Sequence, residues 1–279
     1  MKAIIDFLRP NEYFKEVILF SSLGLLFTKS FSFLFLPLLI ANLALMAFAF
    51  TFNDIEDSKE DKRKHSKRNP ISRGRLGKAS AYIISFGLLL VSILIYFMIG
   101  TLVFPIFGTI AIFLFLYSWK SIRLKSKPFS DVLIHGIGFG AFPLTGYLII
   151  KPFDTTIFLL TSATTMISII GELLNEIRDY NADLKSKFKT TVIIFGKNHS
   201  KTSIIFLAIS VGLIFSYLFY TTLSFNFFVP WLIAFCGVAA FLFLPSLKLK
   251  SSEMFKFLHK RANAIYMFFL ISGLIHYFL

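Results

Sequence analysis

Cysteine is almost absent: Cys236 is the only one in 279 residues and lies in an apolar run, so no disulfide or cysteine-based metal site can form within the chain. Its ordinary role is a small packing residue. Carboxylates are scarce as well, fifteen Asp and Glu against 29 Lys and Arg. Long polar stretches are missing too. The widest interval between apolar runs is about Glu56 to Lys78, too short to bury a core of its own. That excludes a separate soluble domain, and residues 1–279 are expected to form a single membrane-embedded domain. The amino terminus lacks the pattern of a cleavable signal. Met1 to Lys15 mixes Lys2, Asp6, Arg9 and Glu12 with apolar residues, has no small-residue cleavage site, and reads as a short interfacial helix.

What the chain has in abundance is apolar length. Hydrophobic residues make up 56% of it, 37 residues are Phe, and the mean hydropathy is +0.74. Nine uncharged or nearly uncharged segments follow: roughly Tyr13 to Phe27, Phe31 to Phe52, Ala79 to Ile99, Leu102 to Trp119, Val132 to Ile150, Thr156 to Leu174, Ser203 to Leu223, Phe228 to Leu247 and Phe257 to Leu279. The expected fold class is all-α, a polytopic membrane bundle of nine transmembrane helices. Pro37, Pro105, Pro143 and Pro230 are expected to kink their helices without ending them. Gly136, Gly138, Gly140 and Gly146 in the fifth segment should let neighbouring helices approach closely. His135 beside them reads as a hydrogen-bonded packing residue rather than a ligand.

A net charge of +14 fits nucleic acid, acidic lipid or an anionic substrate, and its distribution decides. Of the 29 basic residues, 27 fall at the amino terminus and in the loops after the second, fourth, sixth and eighth segments; Lys29 and Lys151 are the remainder. This is the positive-inside pattern. It places the amino terminus and the long loops in the cytoplasm and, with an odd number of spans, Leu279 outside. Nucleic acid is therefore not expected as a partner. The oligomeric state is not encoded in these features.

The few carboxylates are clustered. Five lie between Asp54 and Asp61 and four between Glu172 and Asp183, each group where an apolar segment runs out. Asn53, Asp54, Asp57 and Asp61 are spaced by three, four and seven, so a continuing helix projects them from much the same face. Glu172, Asn175, Glu176, Asp179 and Asp183 repeat that spacing. One such run could be only the solvated end of a spanning helix, with Glu56 and Glu60 beside Lys59, Lys62, Arg63 and Lys64. Two runs holding nine of fifteen acids are not random decoration. Carboxylates at a helix C-terminus repel its partial negative charge and one another, a cost that a bound cation removes.

Magnesium prefers oxygen ligands and is commonly held by one or two carboxylates together with substrate phosphates. Two facing clusters could clamp a diphosphate through bridging Mg²⁺. Lys67 and Arg68 after the first cluster, Lys125 in the next basic loop and Lys189 after the second cluster are candidates to neutralise the remaining charge. A diphosphate at the cytoplasmic face with spans behind it implies a lipid tail in the membrane.

Asn53-Asp54-Ile55-Glu56-Asp57-Ser58-Lys59-Glu60-Asp61 matches the N-D-x-x-D-x-x-x-D pattern of the UbiA superfamily of intramembrane prenyltransferases. Asp179-Tyr180-Asn181-Ala182-Asp183 resembles that superfamily's D-x-x-x-D second motif. The likeness extends to Asn69-Pro70-Ile71, Tyr117-Ser118 followed by Lys125, Lys189-Thr190-Thr191 and Gly196, and so covers nearly the whole chain. Two positions depart from it: the superfamily commonly has Arg where Asn69 stands and often Gly where Lys187 stands. The resemblance implies nine transmembrane helices and transfer of a prenyl group from a polyprenyl diphosphate to a hydrophobic or lipid-like acceptor. It implies Mg²⁺ on Asp54, Asp57, Asp61, Asp179 and Asp183, with Asn53 and Tyr117 near the allylic cation. The residues from Tyr117 to Asp131, with Asn69 to Ser72, are similar to the carotenoid-elongating (lycopene elongase) branch; quinone, haem, phosphoribose and archaeal glycerolipid acceptors stay open. An ion-coupled transporter is the alternative from another class. It ranks below the enzyme, because transporter sites usually lie near the bilayer midplane in broken helices.

Overall fold

The computed structural model describes residues 2–63, 68–100, 102–185, 188–223, 225–248 and 251–278. It is 83% helix, with no strand among the described residues. Hydrocarbon offers backbone N–H and C=O groups no water, and a helix satisfies them within one segment. A short helix α1 (Lys2–Leu8) and a 3-10 turn (Pro10–Glu12) precede α2 (Phe14–Leu26) and α3 (Phe35–Arg63). Next come α4 (Lys78–Ile99), α5 (Val103–Ser118), α6 (Ser130–Gly140) and α7 (Phe142–Leu148). The chain closes with α8 (Thr155–Lys185), α9 (Thr191–Thr222), α10 (Phe225–Lys248) and α11 (Ser251–Phe278). Four of these, α3, α4, α8 and α9, are long and apolar enough to cross a membrane by length and composition. Large apolar side chains point outward from them, among them Ile83 and Phe97 on α4 and Phe206 and Leu213 on α9. Such a surface belongs in lipid.

Helices cover the expected apolar segments among the described residues, with two differences. Pro143 does not kink the fifth segment but divides it: α6 stops at Gly140, and Pro143 takes the first turn of α7, where its missing N–H costs nothing. The seventh segment starts earlier than its apolar run, because α9 begins at Thr191, bends at Gly196 and carries Lys197 and Lys201 before that run. Gly196 has φ 80° and ψ 156°, a conformation an L side chain rarely adopts.

The fifth-segment glycines do bring backbones together. A Cβ on Gly140 would lie 2.4 Å from Thr165 Cα of α8, and one on Gly146 would lie 2.3 Å from Ser21 O of α2. Small residues here replace the hydrophobic drive that lipid removes. A polar hub that the sequence did not announce adds direction: fully buried Asn42 of α3 donates to Ser21 Oγ (2.8 Å) and Thr145 Oγ1 (3.1 Å) and accepts from the Tyr96 hydroxyl. It ties α2, α4 and α7 to the helix that carries the first motif.

Length decides where the motifs sit. The 29 residues of α3 extend about 44 Å at 1.5 Å per residue, against a hydrocarbon core of about 30 Å. Counted from Phe35, the roughly 20 residues that cross hydrocarbon end at Asn53 and Asp54. The same count along the 31 residues of α8 ends at Leu174. Asp179 and Asp183 then stand beyond the hydrocarbon, and Glu172 stands just inside it.

Candidate active site at the helix ends

At about 100° per residue, Glu56, Glu60, Asn53, Asp57, Asp61 and Asp54 follow one another around α3 within an arc of about 160°. Each edge of the arc meets a different element. Toward one edge the loop after α5 closes over it: Lys120 N donates to Glu56 Oε2 (3.0 Å), and Arg123 donates to Glu60 Oε1 and Oε2 (2.5 and 2.6 Å) and to Asp57 Oδ1 (3.0 Å). In the middle, Lys125 Nζ bridges Asn53 Oδ1 (3.0 Å) and Asp57 Oδ2 (2.5 Å). Toward the other edge Asn69 Nδ2 donates to Asp61 Oδ2 (2.9 Å) and to Asp54 O (2.7 Å). There too, Arg9 Nη1 donates to Asp54 Oδ1 (3.0 Å). The common face read from the spacing is thus a fan of acids, each held by a donor from elsewhere in the chain.

Burial sets the electrostatics. Arg9 and Asp54 are both buried, with Arg9 also 4.8 Å over the Phe50 ring. Burial pushes the Arg9 guanidinium below its ordinary pKa, and the Asp54 charge opposes that shift. Burial likewise lowers Lys125, against the pull of Asp57, while the hydrogen bonds to Glu60 hold Arg123 above its ordinary value. Arg68 is exposed, 3.6 Å from Glu12. Lys67 and Lys187 lie outside the described residues.

On α8, Asp179 is held by the adjacent Arg178 through two hydrogen bonds (2.9 and 2.6 Å), and Asp183 is half-buried one turn further on. Lys189 is exposed in the loop before α9. That loop is anchored from below: Asp131 accepts from Thr191 N (2.7 Å) and Thr191 Oγ1 (2.5 Å), and Glu176 accepts from Val192 N (2.8 Å). Two buried carboxylates therefore satisfy amides at the start of α9, which no side chain of its own N-cap does. Arg123 joins the two motifs, because its guanidinium also lies 5.1 Å over the ring of Phe188 in this loop. Tyr117 reaches α8 lower down, donating to Glu172 Oε1 (3.1 Å).

Sequence reasoning missed Arg9 as a partner of Asp54 and Asn69 as a partner of Asp61. Arg9 stands 45 residues before Asp54, in a stretch whose charges read only as topology signals. Asn69 was noted as a departure from a family pattern, and here it is buried and directly engaged with the first motif. Asp54 is itself buried, 2% exposed.

Among the described residues no three Asp, Glu, His or Cys side chains gather closely enough to hold a metal by themselves. The donor set still fits Mg²⁺, which takes one or two carboxylates and completes its shell with phosphate and water. Asp54 Oδ2 is a buried oxygen with no hydrogen-bond partner, and a cation would satisfy it.

Fold and site together define an integral membrane protein of packed helices, with acidic motifs where two long helices leave the hydrocarbon. The chain belongs to the UbiA prenyltransferase family, whose profile matches residues 17–270. A curated relative, digeranylgeranylglyceryl phosphate synthase of Thermococcus gammatolerans, is 29% identical over 147 residues, 53% of this chain and 51% of that protein. The matched stretch thus spans about half of the relative's length. Among solved structures, a UbiA homolog from Archaeoglobus fulgidus bound to GPP and Mg²⁺ has a TM-score of 0.75 at 19% identity, covering 99% of this chain and all of that one. The apo structure of a UbiA homolog from Aeropyrum pernix K1 gives 0.71 at 14% identity, with 95% and 97% covered. Both share this fold.

Proposed function

We propose that the protein transfers a prenyl group from a polyprenyl diphosphate to a hydrophobic or lipid-like acceptor within the membrane, releasing diphosphate at the cytoplasmic face. The observation that carries this reading is Arg123, which grips Asp57 and Glu60 of the first motif while lying over Phe188 beside the second. One anion held between the motifs would meet both at once. Asp54, Asp57, Asp61, Asp179 and Asp183 would hold Mg²⁺, which when bound neutralises charge on the departing diphosphate. Lys125, Lys189, Arg68 and Lys67 are assigned to the diphosphate oxygens. Lys125 now neutralises Asp57 and would turn to phosphate once that carboxylate is otherwise occupied. Asn53 and Tyr117 flank the allylic carbon below, and the apolar helices keep water from it.

The name of the Thermococcus relative supports a lipid acceptor, and the alternation of basic loops supports a cytoplasmic site with the amino terminus on the same side. Purified protein incubated with labelled geranylgeranyl diphosphate, Mg²⁺ and a membrane lipid extract tests the reading. Label is expected to move into lipid as diphosphate appears, and excess chelator is expected to stop both. Undiminished transfer in chelator, or no consumption of the prenyl diphosphate, would overturn it.

A further inference from the structure

Glu172 is a carboxylate where carboxylates are costly. It stands on α8 about 10 Å below Asp179, seven residues at 1.5 Å each, on the same helix face and inside the hydrocarbon boundary. An ionisable side chain at that depth calls for a function and a named partner. Glu172 has three partners from three elements. Tyr117 of α5 donates to Oε1 (3.1 Å), Asn175 of its own helix donates to Oε2 (3.3 Å), and His135 Nε2 of α6 stands 3.5 Å from Oε2. His135 is braced from behind, its Nδ1 3.2 Å from Ser168 Oγ. Side-chain exposures of 15% for Glu172 and 23% for His135 show that the pair is not sealed among neighbours.

We infer that Glu172 is the general base that takes the acceptor's proton, with His135 and Tyr117 as positioning residues. The inference rests on the prenyl-transfer reading above and supplies what that reading lacks. When the bond from the allylic carbon to the diphosphate oxygen breaks, its electron pair leaves on the diphosphate. An electron pair of the acceptor forms the new bond to that carbon, and the acceptor must then lose one proton. The motif carboxylates are assigned to Mg²⁺ at the interface, while the reacting carbon lies on the tail side of the diphosphate. Of the other carboxylates near Tyr117, Asp131 and Glu176 are engaged with the start of α9, which leaves Glu172. An ionised carboxylate offers about four acceptor positions. Three are directed at Tyr117, Asn175 and His135, and the fourth is left for the acceptor's O–H, N–H or C–H. The proton is afterwards released to water at the cytoplasmic face, so atoms and charge balance.

The test uses the full-length protein with labelled geranylgeranyl diphosphate, Mg²⁺ and a membrane lipid extract as acceptor source, counting prenylated lipid and free prenyl alcohol separately. Glu172→Gln keeps the shape and is expected to lower transfer by about 10²- to 10⁴-fold, the usual worth of general-base catalysis. Donor KM should stay within about twofold, and the surviving product should shift toward prenyl alcohol, because ionisation persists and water captures the cation. Glu172→Asp should recover part of the transfer, and His135→Asn should cost less than Glu172→Gln. Unchanged transfer in Glu172→Gln would overturn the inference. So would equal loss of transfer and alcohol formation at unchanged thermal stability, which would make Glu172 part of the donor site. A wild-type protein that consumes no prenyl diphosphate sinks the underlying function instead, a result told apart from either of these without any variant.

Discussion

Lys125 is the cation on which the first motif turns. It reaches Asn53 and Asp57 from a loop 68 residues downstream of Asp57, and burial has stripped it of much of its water. A hydrogen bond to a charged partner is worth about 1.5–3 kcal/mol, or roughly 10- to 150-fold in affinity. Lys125→Gln is therefore expected to raise the KM for geranylgeranyl diphosphate by about 10- to 100-fold, with a smaller effect on kcat. Lys125→Arg, which keeps the charge but not its compact shape, should fall between the two. Steady-state kinetics at saturating Mg²⁺ checks this, and a KM within twofold of wild type in Lys125→Gln would remove Lys125 from the diphosphate site. Arg9 acts differently at the same scale. Buried beside Asp54 and 3.9 Å from Glu12, it fixes one end of the fan, and breaking such a pair leaves a buried charge behind.

At the scale of elements, the proposed site is built on the ends of two long helices that Arg123 of the loop after α5 bridges, from Asp57 and Glu60 of α3 to Phe188 after α8. α3 and α8 each project carboxylates beyond the hydrocarbon, and the loops after α5 and α8 lie across them. If Asp61 and Asp183 grip one diphosphate from opposite helices, losing either releases the same leaving-group stabilisation. Asp61→Ala and Asp183→Ala should each lower kcat by on the order of 10²-fold or more. The double variant should be little worse than the poorer single one, since residues acting as a unit are strongly non-additive. Folding should survive Asp61→Ala, because Asn69 Nδ2 keeps its bond to Asp54 O. Single-turnover rates for the three proteins decide: a double loss equal to the product of the single losses would mean two independent sites.

For the whole molecule the testable quantity is orientation. Of the 29 Lys and Arg, 27 lie at the amino terminus and in the loops after the second, fourth, sixth and eighth apolar segments, and by the positive-inside rule that side is proposed to face the cytoplasm. Ser126 lies in the loop beside Lys125, and Cys236 is the only native thiol. In a Cys236→Ala background, Ser126→Cys is expected to react with a membrane-impermeant maleimide only after the cytoplasmic face is opened. Labelling of intact cells would invert the topology and place the site outside.

The sequence by itself determined that the apolar segments are helices, though not where each begins and ends: the fifth divides at Pro143 and the seventh starts at Thr191. Apolar length and charge are transfer costs of single residues into a slab of fixed thickness, so they can be summed along the chain without knowing its neighbours. That is why the helices and the acidic motifs at the ends of α3 and α8 were legible. The spacing of Asn53, Asp54, Asp57 and Asp61 likewise gave their common face, because helix periodicity is local. Only the tertiary structure decided who meets whom. Arg9 with Asp54, Tyr117 with Glu172 and Arg123 with Glu60 join residues 45, 55 and 63 apart. Their meeting depends on how each helix is rotated about its axis. Contacts as close as Gly140 on Thr165 and Gly146 on Ser21, with Asn42 fixing α3, set that rotation, and no local pattern of hydropathy records it.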